Sequence, residues 1–147
     1  MKKVLLLLVL SGCLFSCVKK EETNAETKTE TSEKKDFKMY EMSEMSILME
    51  QMYAENMVLK DRIKKGDTIG QFPQHFLEIH KAVMTDEKEN DAFFKEQAKK
   101  FIKAQELIYQ DPKNAKEHFN NGVDACLSCH EVKCGGPIPR IKKLYIE

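Results

Sequence analysis

Residues 18–36 hold only two apolar side chains, Val18 and Ala25, among Lys, Glu, Thr, Ser, Asn and Asp. A run this polar buries too little apolar surface to offset the conformational entropy of folding, so it reads as a flexible tether. Whatever folds must lie after it, in the roughly 110 residues of 38–147, a length that suits one modest domain. With 6 Gly and 4 Pro against 8 Met and 33% charged residues, the composition favours helices over turn-rich β structure, and the expected fold class is all-α. The 24 Lys+Arg balance 24 Asp+Glu to a formal net charge of zero. No basic excess is left to attract a polyanion, so binding to DNA or RNA is not expected.

Residues 1–16 have the layout of an export signal. Lys2 and Lys3 precede an apolar run at 4–10, and small residues follow before Cys17. The run is too short to cross a hydrocarbon core of ~30 Å, which needs about 20 residues, so cleavage is expected rather than a permanent span. A cysteine just after such a run resembles the lipobox of bacterial lipoproteins, whose new N-terminal cysteine carries the acyl chains. Leu10-Ser11-Gly12 points to Cys13 and leaves a very short signal, whereas Leu14-Phe15-Ser16 points to Cys17 at a more usual length. Cys17 is the expected lipidation site, with Cys13 the runner-up. The expected organisation is a signal at 1–16, a lipidated cysteine and charged tether at 17–37, and a helical domain at 38–147. Such a protein is exported and held by its lipid on a bacterial membrane, at the periplasmic face or the cell surface. Val18-Lys19-Lys20-Glu21-Glu22 also resembles the charged export tag of some surface lipoproteins.

Apolar spacing within 38–147 predicts four helices with short connections. Met45, Leu48, Met49, Met52, Leu59 and Ile63 recur at helical intervals, and Gly66 after Lys64-Lys65 is a stop, which gives helix one. Pro73 suits a first turn, and Phe76, Ile79, His80 and Val83 share a face until Thr85-Asp86, which gives a shorter helix two. Phe94, Ala98, Phe101, Ile102 and Ile108 mark a third helix that Pro112 interrupts. Asp111 is the expected cap of a fourth, with Pro112 as its first residue and a stripe of Ala115, Phe119, Gly122, Cys126, Cys129 and His130. That helix should end at Gly135-Gly136-Pro137. Ile138, Ile141, Leu144 and Tyr145 then give a short tail enough apolar surface to dock on the bundle.

Cys126-Leu127-Ser128-Cys129-His130 reads C-x-x-C-H, the attachment signature of a c-type haem. On a helix the second cysteine lies about 300° round from the first and the histidine about 400°, so all three side chains share one face. Both sulfurs can then reach the vinyl groups on one edge of a porphyrin while the imidazole meets the iron. The export signal and the helical context favour this reading, as does Gly122, where a missing side chain leaves room for a flat ring. Two rival uses of the same residues stay open. A disulfide between Cys126 and Cys129 would cross-link almost nothing at this spacing, and Cys126, Cys129, His130 and Cys134 are acceptable zinc ligands by type. Thioredoxin-like chemistry needs a βαβ context that is not visible here. No paired carboxylates, serine nucleophile or glycine-rich phosphate loop stands in a credible context, so hydrolytic and nucleotide chemistry are not supported.

With C-x-x-C-H near the end of the last of four helices and a Met-rich first helix, residues 40–135 resemble the cytochrome c′ family, including its low-spin, methionine-ligated relatives. The resemblance implies an antiparallel four-helix bundle holding one haem c per chain between its helices. Cys126 and Cys129 match the thioether cysteines, His130 matches the proximal iron ligand, and a first-helix residue takes the distal side. Aligning the end of helix one at Lys64-Lys65-Gly66 puts Met49 near the distal position, with Met52 and Met45 one turn either side as runners-up. The family often has a basic residue four positions after the histidine, where this chain has Cys134, with Lys133 one position early; the tail after Pro137 is also longer. Related bundles often form homodimers through their first two helices.

The distal ligand decides the function. A thioether in the sixth position closes the iron to small ligands and raises its potential, which describes an electron carrier serving a redox protein partner rather than an enzyme. An apolar distal residue would leave a five-coordinate iron that binds nitric oxide or carbon monoxide. A helical module without haem, binding zinc or simply another protein, is the remaining alternative. His80 is a second candidate distal ligand, a core histidine being its plainer role. His75 and His118 read as surface residues, and Arg140, Lys142 and Lys143 as a basic tail that could face haem propionates.

Overall fold

The computed structural model describes residues 41–147. The expected signal at 1–16, the candidate lipidation sites Cys13 and Cys17, and the tether at 17–37 lie outside the described residues. No helix of the described residues is long and apolar enough to cross a membrane.

Helix α1 spans Glu44–Lys65. The Ser43 hydroxyl accepts the Ser46 N–H at 3.2 Å and so caps its first turn. Glu44 sits at the positive end of the helix dipole, and Arg62, Lys64 and Lys65 sit at the negative end. Gly66 stops the helix at φ 70°, a left-handed conformation that any side chain would strain. The Gly66 and Asp67 N–H groups then turn back to the Ile63 and Arg62 carbonyls at 3.2 and 3.0 Å. Helix α2 spans Ala92–Gln110 and is capped by Asp91, whose Oδ1 accepts the Phe94 N–H at 2.9 Å. Helix α3 spans Ala115–Lys133, and α4 is a single turn, Ile138–Ile141, that runs on into a 3₁₀ turn at Lys142–Leu144. The described residues are all-helical, and the most extensive packing joins α2 to α3.

The second predicted helix is instead a 3₁₀ segment, Gln74–His80. Phe76 and Ile79 are its buried residues; three apart, they eclipse each other at three residues per turn. That winding carries His80 and Val83 off the shared face expected of them, and both are exposed. The chain after the segment is tied to the start of α1, where Val83 O accepts the Met45 N–H and the Val83 N–H donates to Glu44 Oε2, each at 3.0 Å. Asp111 also differs from expectation. Its carboxylate caps no backbone N–H, and a 3₁₀ turn at Pro112–Asn114 precedes α3. Asp111 Oδ2 lies 2.8 Å from Asn114 Nδ2 and 3.1 Å from His118 Nε2, which leaves His118 largely covered.

Two apolar clusters fill the interior. One gathers Met45, Leu48, Met52, Phe76, Ile79, Phe94, Phe101 and Ile102; the other gathers Leu59, Ile108, Phe119, Val123, Leu127, Ile141, Leu144 and Ile146. Cys126 packs against both. The tail docks as its composition suggests: Ile141, Leu144 and Ile146 are buried, and the Asn120 amide pairs with the Ile146 backbone through bonds of 2.9 and 3.0 Å. Gly122 lets α2 and α3 approach closely, since a Cβ there would lie 3.3 Å from Gln105 Nε2 and 3.7 Å from Ala104 Cβ. The space is taken by Gln105, so Gly122 does not leave room for a flat ring.

Candidate cofactor-binding site

Cys126, Cys129 and His130 stand within about one turn near the end of α3, as the motif requires. All three line one cavity with Met49 and Met52 of α1, on a site of about 780 Å³ that includes its solvent mouth. The cavity proper is about 100 Å³, smaller than the about 300–1,000 Å³ common for small-molecule and cofactor sites. Ile79, Phe94, Ala98, Phe101 and Ala125 make most of the remaining wall apolar. Met52 is 5% exposed and Met49 is partly buried. Met45, the other distal candidate, is buried in the core cluster and is not among the cavity residues. His80 does not reach the cavity either, and its exposure removes the core role that the sequence suggested.

His130 Nδ1 lies 3.0 Å from the Cys134 carbonyl oxygen. A carbonyl only accepts, so this contact places the proton on Nδ1 and the lone pair on Nε2. A histidine prepared for a metal is commonly held this way by a backbone carbonyl. The two thiols are held in their neutral form. Burial pushes Cys126 up to about 12, with the neighbouring Cys129 adding to it. Cys129 is also raised by burial and by the charges of Asp91 and Glu89, against the opposing charge of Lys133. Cys126, Cys129 and Cys134 are all free thiols, so the disulfide reading has no bridge behind it. Among the described residues no group of three or more His, Cys, Asp and Glu side chains is placed to hold a metal ion. Two thiols, one imidazole and nearby thioethers are residue types that a covalently bound haem could use.

The cavity has a charged rim. Arg140 of α4 donates to both carboxylate oxygens of Glu50, at 2.7 and 2.9 Å, and lies 4.3 Å from the centre of the Tyr53 ring. Arg140 thus already has a carboxylate partner on α1, which the expected propionate-facing role would have to replace. Outside the cavity lining, Lys133 reaches the residues just before α2, 2.6 Å from Asp91 Oδ2 and 2.8 Å from Glu89 Oε2, and these two carboxylates push it up to about 12. Tyr145 donates to Asp124 and is likewise pushed up to about 12, chiefly by burial.

One part of the cavity floor was not anticipated. Asn56 faces the interior at 5% exposure and donates from Nδ2 to the Met52 carbonyl at 2.8 Å. Its Oδ1 accepts Gln105 Nε2 at 2.8 Å, while Gln105 Oε1, in a residue only 1% exposed, has no partner. The sequence carried a signal for this pair, since Asn56 interrupts an otherwise apolar stripe between Met52 and Leu59. His75 and Glu55 form an exposed contact of 2.9 Å away from the cavity, which agrees with the surface role expected of His75. Comparison with protein-family models, with characterised proteins and with solved structures gives no significant match to this chain.

Proposed function

We propose that this chain is a lipid-anchored, exported monohaem c-type cytochrome that carries electrons. The observation that carries the reading is the shared cavity of Cys126, Cys129 and His130 on one side and Met49 and Met52 on the other. The bundle is then an antiparallel variant on three long helices, in which the 3₁₀ segment Gln74–His80 takes the place of the second helix. Cys126 and Cys129 would hold the macrocycle through thioethers, His130 Nε2 would ligate its iron, and Met49 or Met52 would supply the distal sulfur. The bound haem would supply reversible one-electron chemistry. The chain's own contribution is to orient and to exclude. The Cys134 carbonyl fixes the imidazole tautomer, the apolar wall of Ile79, Phe94 and Phe101 keeps water from the metal, and Lys133 anchors the motif's helix end to α2. Anchoring at Cys17 would keep the domain at a membrane, within reach of a redox protein partner.

The test is to produce the full chain with a functioning haem-maturation system and to record its oxidised and reduced spectra and its intact mass. One porphyrin added to the chain, resistant to acid extraction and lost when Cys126→Ala and Cys129→Ala are combined, is the expected result. A colourless protein of unmodified mass would refute the haem reading and leave a cofactor-free interaction module. A haem protein with a high-spin spectrum that shifts readily with carbon monoxide would instead make it a gas-binding protein.

A further inference from the structure

Pro137, Arg140, Ile141 and Leu144 form one wall of the cavity, so it is enclosed only while the tail is docked. The tail joins α3 through Gly135 and Gly136, both exposed. A Cβ at Gly136 would meet nothing within 4 Å, and one at Gly135 would meet only the tail's own Ile138, at 3.9 Å. Neither glycine is held by a neighbour on its side-chain side outside the segment it carries. The three buried apolar residues from Ile141 onward all belong to the cluster built on Leu59, Ile108 and Phe119. The cluster around Phe76 and Phe101 contains none of them. Undocking the tail would accordingly leave that second cluster and its share of the α2–α3 contact in place.

We propose that the tail is a strap that undocks as a unit about the Gly135–Gly136 link, with the Arg140–Glu50 pair as its latch, and admits small neutral molecules to the cavity beside Cys126. The strap governs access to the same cavity that the haem reading assigns, and rests on that reading only for what the cavity finally holds. Arg140 clips α4 to α1 across the mouth through Glu50 and Tyr53, and Lys60 adds a 2.7 Å bond to the Lys143 carbonyl. An exposed ion pair is a weak fastener even when bidentate. Burial of Ile141, Leu144 and Ile146 is far stronger, so the strap opens rarely, as a local event beneath global unfolding. The latch sets how often it opens within a few-fold range, and the buried aliphatics set the order of magnitude.

The full chain made without haem carries its own reporters, because Cys126 is part-buried in the cavity that the strap walls and Cys134 is exposed. Alkylation by iodoacetamide at fixed pH, read by peptide-resolved mass spectrometry, measures Cys126 against Cys134. Arg140→Gln should speed Cys126 labelling about threefold, and Leu144→Ala about tenfold or more, with Cys134 unchanged in both. Ile102→Ala, which weakens the other cluster, should leave the ratio where it is. Equal acceleration by Ile102→Ala and Leu144→Ala at matched stability would mean that Cys126 is reached only through global unfolding, and would overturn the strap. So would a Cys126 rate that neither strap variant moves. A colourless product from the haem-maturation experiment would leave these rates as they are, so the two readings fail separately.

Discussion

The Asn56–Gln105 pair permits a sharp test of what lies under the cavity. Gln105→Met is close to isosteric. It removes the donor to Asn56 Oδ1, which strands a buried acceptor at about 1–3 kcal/mol, and it also removes the orphaned Oε1, which returns part of that loss. The net cost should be about 1 kcal/mol. Asn56→Leu alone leaves both polar atoms of Gln105 unpaired in a residue 1% exposed, and should cost about 2–4 kcal/mol. The double variant removes every stranded polar atom and continues the apolar stripe of Met45, Leu48, Met52 and Leu59, so it should fall within about 1 kcal/mol of the parent. The coupling energy is then about 2–5 kcal/mol in favour of changing both together. Urea unfolding followed by circular dichroism reads all four corners of the cycle, provided the slope against denaturant is unchanged. A double variant as unstable as the sum of the singles would show that the two amides do not depend on each other, and the account of the buried bond would fail.

Three other outcomes are expected. In haem-loaded protein, Met49→Leu or Met52→Leu should convert a low-spin spectrum to a high-spin one that responds to carbon monoxide, while Met45→Leu, placed in the core, should not. Stability should hold from neutral pH down to about 4.5 and fall below it. Glu50 is depressed by its bond from Arg140, Asp91 by Lys133 and Asp111 by Asn114 and then His118; each contribution is present above the unfolded value and is lost as pH drops through the lowered folded one. An acid titration of unfolding that starts well above pH 5 would contradict this. Gly122→Ala should destabilise by about 0.5–2 kcal/mol in thermal unfolding, because a contact of 3.3 Å with the pinned Gln105 amide outweighs the roughly 1 kcal/mol gained in helix propensity.

The long helices were legible because each carries its stripe and its punctuation in adjacent residues. Gly66 closes α1 where the spacing ended it, and Cys126, Cys129 and His130 declare a shared face by spacing alone; the caps Ser43 and Asp91 went unread, and Asp111 was read as a cap that it is not. The second segment misled because two apolar residues three apart suit a 3₁₀ turn as well as an α-helix, and His80 then faces the other way. Gly122 was read for the space it leaves, but the occupant of that space, Gln105, comes from another helix and is invisible to local pattern. The rim was hidden for the same reason. Arg140 and Glu50 are 90 residues apart, and nothing in either neighbourhood names the other. Long-range polar pairs are set by how the helices meet, whereas the motif is set within one turn.

Asp91 answers two parts of the molecule at once, one oxygen on the Phe94 N–H and the other on the Lys133 ammonium. The start of α2 and the last turn of α3 are therefore joined through this side chain, beside the second carboxylate that Glu89 offers Lys133, and Phe94 and His130 on those two helices line the cavity. An amide at this position would keep the fastening to α2 and surrender the one to α3. Asp91→Asn and Asp91→Ala would thus release the two fastenings in turn, letting the end of α3 be loosened while the helix beside it stays capped.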